Sequence, residues 1–224
     1  MTFFTLLSVS HAAQARVPTA SFALAIAAHT SVHPVLLLPP VALLCYDRAC
    51  LQQAKDGQTR QVAGSSNVPT GKLAANQRTQ PKPMAFSLQF IGTFLASTAF
   101  LLALSRLLLP SWQFLPSVYL TQLQLPDLVP NAGLWWYFFI EMFDAFRSFF
   151  LGVFWLHMLS YSVPFCLRFQ RQPLVAVVLM MGVVAVFEPY ANAGDAGAWL
   201  SCLCLLGHLF ERTPSLSLWA LNSV

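Results

Sequence analysis

The chain has 224 residues, of which 57% are hydrophobic and 9% charged, with a formal net charge of +4 and a mean hydropathy of +0.62. A soluble domain carries about 25% charged residues, so the composition excludes an ordinary soluble domain and points to a polytopic membrane protein. Six of the twelve Lys and Arg lie in one connector with no RNA- or DNA-binding motif, which removes nucleic acid from the expected partners.

Residues 1–20 begin with MTFFTLLSVS, too short to span and without a basic n-region, so the segment is left unassigned. Residues 21–46, SFALAIAAHTSVHPVLLLPPVALLCY, form the first expected span. They suffice for a hydrocarbon core of about 30 Å at about 1.5 Å per residue. Pro34, Pro39 and Pro40 are expected to kink or break it, freeing carbonyls that neighbouring helices must satisfy. Residues 47–84 carry Arg48, Lys55, Arg60, Lys72, Arg78 and Lys82 among Gln, Ser, Thr, Gly and Pro, and read as a flexible loop. Residues 85–109 are the second span, and residues 110–133 a connector without Lys or Arg.

Residues 134–167 are a continuous apolar run of roughly 50 Å if wholly helical, which exceeds a bilayer core and must tilt, bend or divide. The preferred division places 134–147 at the interface or as an inserted half-helix and lets 149–167 span. At about 100° per residue, Phe138, Phe139, Phe143, Phe146, Phe149 and Phe150 share one face, opposite Tyr137, Glu141, Asp144, Arg147 and Ser148. Asp144 and Arg147 either neutralise each other at i,i+3 or face a ligand; charge at membrane depth is costly enough to require one or the other. A turn at 168–172 leads to spans at 173–190 and 194–210, and residues 211–224 form a tail. The fold class is thus all-α, a transmembrane helix bundle of about five spans with an amphipathic helix on one side.

Connectors 47–84 and 168–172 hold eight Lys or Arg, whereas 110–133 and 189–195 hold none. The positive-inside rule therefore places the first pair in the cytosol and the second pair, with the amphipathic helix, on the lumenal or extracellular side. The five cysteines form no CxxC pair and the five histidines no HExxH, so no metal and no cofactor are expected. No nucleophile–base arrangement is legible, so no catalytic residue is assigned.

The phrase SWQFLPSVYL, followed by LPDLVPNAGLWWYFFIEMFDAFRSFF, resembles the PIG-U family, a subunit of the glycosylphosphatidylinositol (GPI) transamidase complex. The pattern from Pro126 to Phe143 is long and compositionally unusual, and the resemblance extends to VHPVLLLPPVALL and to QPLVAVVLMMGVVAVFEPYANAGD. It implies residence in the endoplasmic reticulum membrane and a non-catalytic role beside a cysteine-protease-like PIG-K subunit. It also implies that this subunit helps hold the GPI lipid or the C-terminal attachment signal. The family's chains are longer, so the resemblance further implies that this is a partial or truncated chain.

Set beside that resemblance, the lumenal placement of 110–133 suggests lipid contacts. Phe143 and Phe146 would meet acyl chains, and Asp127, Glu141 and Asp144 an ammonium or sugar hydroxyls. Asn131 would meet the hydroxyls as donor or acceptor. The principal alternative is a membrane-embedded glycosyltransferase of the GPI pathway. That enzyme would need an acidic cluster, and in the sequence Asp127 and Asp195 look isolated. A transporter is the third reading, suggested by the Pro-rich first span and the charges from Glu141 to Arg147.

Overall fold

A computed structural model describes residues 1–63, 82–109, 111–125, 129–131 and 133–207. The regular structure of the described residues is all helical, with no strand among them. Helices α1 (Thr2–Ala13) and α2 (Val17–Thr30) form an antiparallel hairpin joined at Gln14–Arg16. The turn closes as a Schellman motif: Arg16 N–H donates to His11 C=O and Ala15 N–H to Ala12 C=O. Ala15 occupies the left-handed region at φ 57°, where an L side chain is disfavoured. Helix α2 buries Ala20, Ala23, Ala25, Ala27 and Ala28. Small residues let helix backbones approach closely within an apolar environment, and α2 packs against both α1 and α4 (Pro83–Leu108).

The span expected over 21–46 is two helices. Thr30 ends α2, Ser31 is extended (φ −156°, ψ 152°), and a 3₁₀ turn at His33–Leu37 leads into α3 (Leu38–Ala63). The prolines start the new elements: Pro34 begins the turn, and Pro39 and Pro40 sit in the first turn of α3, where a missing N–H costs little. The expected loop 47–84 is likewise helical as far as Ala63. Leu, Gln, Ala and Lys after Cys50 are good helix formers and propagate a helix already nucleated in the apolar half. Residues 64–81 lie outside those described.

Helix α4 follows the expected span at 85–109. Phe86, Phe90 and Phe94 are buried on one face, while Leu88, Leu95 and Leu107 are exposed on the other. Residues 111–125 contain a π-type turn (Pro116–Leu120) and α5 (Thr121–Gln124) where a plain loop is expected. Tyr119 and Ser105 both lie 3.0 Å from ring nitrogens of His29, tying α2, α4 and this segment together.

The run 134–167 divides, as its length demands, but earlier than preferred: the first helix ends at Ile140, seven residues before 147, and the second begins at Asp144, five before 149. Helix α6 (Leu134–Ile140) ends at Glu141, and α7 (Asp144–Arg168) begins after Phe143, an extended N-cap. The single amphipathic helix is therefore two helices, and the Phe face is divided between them. Helix α8 (Pro173–Phe187) is apolar on every side and packs among α3, α7 and α9 (Ala193–Cys204), with nine of its residues buried. A helix that is hydrophobic all round is a core helix.

Three described helical stretches, His33–Gly57, Pro83–Leu108 and Asp144–Arg168, are long and apolar enough to cross a membrane. The expected spans at 173–190 and 194–210 correspond to helices of 15 and 12 residues, below the roughly 20 needed for a full crossing. Residues 208–210 of the latter lie outside those described.

Two substitutions test this packing. A Cβ on Gly182 of α8 would stand 2.6 Å from Trp199 Nε1 of α9. Gly182→Val is expected to destabilise the α8–α9 contact by about 1–3 kcal/mol through overpacking, read as a lower melting temperature in detergent. Ala15→Gly is expected to raise that temperature, because it relieves a left-handed alanine costing about 1–2 kcal/mol.

Candidate functional site

Polar and aromatic groups from distant parts of the chain meet at one end of the bundle. Asn131 draws Val129 and Gly133 together: its Oδ1 accepts from Gly133 N–H at 2.6 Å while Nδ2 donates to Val129 C=O at 3.0 Å. This is an Asx-type turn, the usual local use of asparagine. Nδ2 also reaches Pro189 C=O at 3.3 Å, which ties the turn to the loop between α8 and α9. Gly133 is required there: a Cβ would meet Asn131 Oδ1 at 2.6 Å and Pro189 C=O at 3.3 Å.

Two residues on, fully buried Trp135 donates through Nε1 to Phe187 C=O at the end of α8. Its ring packs on Phe139, Phe154 and Trp155, with centroids 5.8, 4.8 and 6.1 Å away. Phe138 joins Phe150 and Phe154 across the break at 5.5 and 5.1 Å. Thus Phe138, Phe139 and Phe150 staple α6 to α7. Phe143, Phe146 and Phe149 remain 79%, 57% and 65% exposed, so the outward apolar surface is narrower than the expected Phe face.

Glu141 and Asp144 are exposed at the α6–α7 junction. Asp144 lies in the first turn of α7, where a negative charge suits the helix dipole. Arg147 donates to the carbonyl of Leu125, a residue in the left-handed conformation (φ 45°) that ends α5. Of the residues singled out from sequence, Glu141, Phe143, Asp144 and Phe146 come together here. Asn131 is engaged in shaping the loop, and Asp127 lies outside the described residues.

Sequence reasoning missed the deeper half of this end. His33, in the 3₁₀ turn, lies under α8: its Nδ1 is 3.0 Å from Ser31 Oγ and 3.9 Å from Glu188 Oε1. Trp155 of α7 stacks on its ring at 5.0 Å and 25°. His33 Nε2, Trp155 Nε1 and Glu188 Oε2 are buried and meet no hydrogen-bond partner among the described residues. Asp195 of α9 accepts from Thr2 Oγ1 of α1 and also lies beside Glu188. Burial, then repulsion by Asp195 and a hydrogen bond to it, push the Glu188 carboxyl up to about 7, against the opposing pull of the Met1 amino group.

Asp195 therefore belongs to an acidic pair that the sequence, with the two residues seven positions apart across a loop, did not display. The only hint was a Glu directly after the apolar run of α8, where a charge is out of place unless it has partners.

These features define a polytopic helical membrane protein whose broken helices gather acidic, histidine and aromatic side chains at one face of the bundle. The profile of the family described as GPI transamidase subunit PIG-U matches residues 1–222, and the chain belongs to that family. The GPI-anchor transamidase component PIGU of Homo sapiens is 35% identical over 126 residues, 56% of this chain and 29% of the human protein. The GPI transamidase component GAB1 of Saccharomyces cerevisiae is 43% identical over 109 residues, 48% of this chain and 28% of the yeast protein. The GAB1 homolog of Schizosaccharomyces pombe is 36% identical over 124 residues, 55% of this chain and 30% of that protein. The chain thus spans less than a third of the length of the curated relatives it matches.

The sign of a pH effect follows from the buried pair. A carboxyl held above its unfolded value keeps its proton in the native state, so its stabilising contribution is full at low pH and is lost as pH rises toward and through about 7. Thermal stability is expected to fall between about pH 5 and about pH 8, and Glu188→Gln to flatten that dependence and to be the more stable form at the upper end. A melting temperature for the Gln variant that falls with pH as steeply as the parent's would refute the assignment.

Proposed function

We propose that this chain acts as a membrane subunit of the GPI transamidase complex, without carrying the transamidation chemistry itself. The observation that carries this reading is the family match across residues 1–222, reinforced by relatives named as components of that complex. In this reading the protein resides in the endoplasmic reticulum membrane beside a cysteine-protease-like PIG-K subunit, whose cysteine performs the acyl transfer. The charge bias of the connectors supports a lumenal position for the α6–α7 junction and a cytosolic one for the end of α3.

The junction itself suits a lipid with a glycan head. Exposed Phe143 and Phe146 offer apolar surface to acyl chains, and exposed Glu141 and Asp144 offer acceptors to hydroxyls or an ammonium group. Asn131 contributes by holding Val129, Gly133 and Pro189 together, with its amide and carbonyl already bonded to backbone. Asp127 belongs to the same short stretch of sequence. A glycosyl-transfer reading is favoured by one observation, the Glu188–Asp195 pair. The pair is wedged among His33, Thr2 and the end of α8, however, a position better suited to joining helices than to receiving a sugar.

Affinity purification of the tagged protein from its own membranes is expected to recover the cysteine-protease-like subunit. Recovery of the folded protein without any transamidase component would overturn the reading. Within an intact complex, replacing Phe143 and Phe146 together by Ala is expected to lower GPI-lipid recovery roughly tenfold, a loss of about 1.4 kcal/mol. Unchanged recovery in that variant and in Glu141→Gln/Asp144→Asn would remove the junction from the lipid site.

A further inference from the structure

An apolar recess lies between the α1–α2 hairpin and α4. It is an open groove of about 500 Å³ lined by Leu7 of α1, Phe22, Ala23 and Ile26 of α2 and Ser97 of α4. His11 and Thr19 lie at the end nearest the Gln14–Arg16 turn. From Pro18 to Ile26 the recess follows α2 for about 12 Å.

Its depth in the membrane can be read from one contact. Gln52 of α3 donates to the carbonyl of Gln14 at 3.1 Å, which sets the turn level with the stretch of α3 that carries Arg48, Lys55 and Asp56. The turn therefore lies at a membrane boundary, and the recess runs inward from it beside α4, a helix apolar and long enough to span.

We propose that this recess seats one acyl chain of a glycerophospholipid with an anionic headgroup. Leu7, Phe22, Ala23 and Ile26 give the groove a largely apolar lining, interrupted by His11, Thr19 and Ser97, and α4 beside it is apolar and long enough to span, so a lipid chain is the occupant at hand. Charge selects the headgroup. Residues 1–46 contain no Asp or Glu, and Arg16 stands exposed in the turn two residues before Pro18, which lines the recess. A guanidinium at that level pairs with a lipid phosphate or carboxylate. A transmembrane helix fits less well, because helices pack through long ridges at 8–10 Å between axes, whereas α4 contributes Ser97 alone to this recess. The site is at the opposite end of the bundle from the α6–α7 junction and does not depend on the GPI reading.

The test reconstitutes the full chain alone in phosphatidylcholine vesicles carrying a trace of phosphatidylserine with a diazirine in its acyl chain, or of phosphatidylcholine with the same chain. After irradiation, adducts are mapped by mass spectrometry. Adducts are expected to concentrate on Leu7 and on Phe22–Ile26 relative to the exposed Leu88–Leu95 face of α4. Phosphatidylserine is expected to label them roughly fivefold more than phosphatidylcholine, the preference of one basic residue near an anionic surface.

Ser97→Phe, which fills the recess, is expected to abolish the concentration, as is Thr19→Trp at its exposed mouth should Ser97→Phe fail to fold. Arg16→Gln is expected to remove only the headgroup preference. Labelling spread evenly over both faces would overturn the site, and equal labelling by the two lipids in the parent chain would overturn the anionic headgroup. Because no transamidase component is present, either result leaves the proposed membership of the complex untouched.

Discussion

A helix that stops inside an apolar bundle leaves carbonyls and amides that water does not reach, and each unsatisfied group costs several kcal/mol in such surroundings. This chain stops its helices there repeatedly, and a side chain from elsewhere meets the freed group. At the α2 break Val32 N–H donates to Gln122, and Leu36 C=O accepts from Ser162 of α7. At the end of α8, Phe187 C=O accepts from Trp135 and Pro189 C=O from Asn131. At the end of α5, Leu125 C=O accepts from Arg147. Because the partners are 22 to 126 residues distant in sequence, these bonds also determine which elements are neighbours.

The functional end of the molecule follows from that constraint. Trp135 and Asn131 hold α6 and its preceding turn against the end of α8, and the aromatic contacts of Phe138, Phe139 and Phe154 carry the attachment into α7. With α6 held in this way, Glu141, Phe143, Asp144 and Phe146 are left on the outer surface at a helix junction. The same convergence brings His33, Glu188 and Asp195 together beneath it. That buried cluster joins the 3₁₀ turn, α8 and α9, and through Thr2 it reaches α1. It therefore links the two halves of the described chain beneath the junction where a lipid is proposed to bind.

The helical class, the membrane setting and the family were legible in the residues. Each rests on a property of local sequence: apolar length for the spans at 85–109 and 149–167, and a long unusual pattern from Pro126 to Phe143 for the family. The division of 134–167 was legible from length, yet its position was not. A 3.6-residue period through Phe138, Phe143 and Phe150 continues across Glu141–Phe143, and only packing of Trp135 under α8 shows that the helix ends there. The extension of α3 to Ala63 is not legible in a polar composition that equally suits a loop, yet Gln, Ala and Lys extend a nucleated helix at little cost.

The amino-acid sequence by itself thus determined that this is a hydrophobic helical protein, which connectors carry positive charge, and to which family the chain belongs. Tertiary structure alone decided that prolines 34, 39 and 40 begin elements instead of kinking one, and that α8 is a core helix. It also decided that Asn131 is a loop clamp and that Glu188 and Asp195 form a pair. The difference has one physical origin. Hydropathy and propensity are sums over neighbours in the chain, whereas satisfying a buried carbonyl or a buried carboxyl requires a particular atom at about 3 Å, and no local pattern records where in the chain that atom comes from.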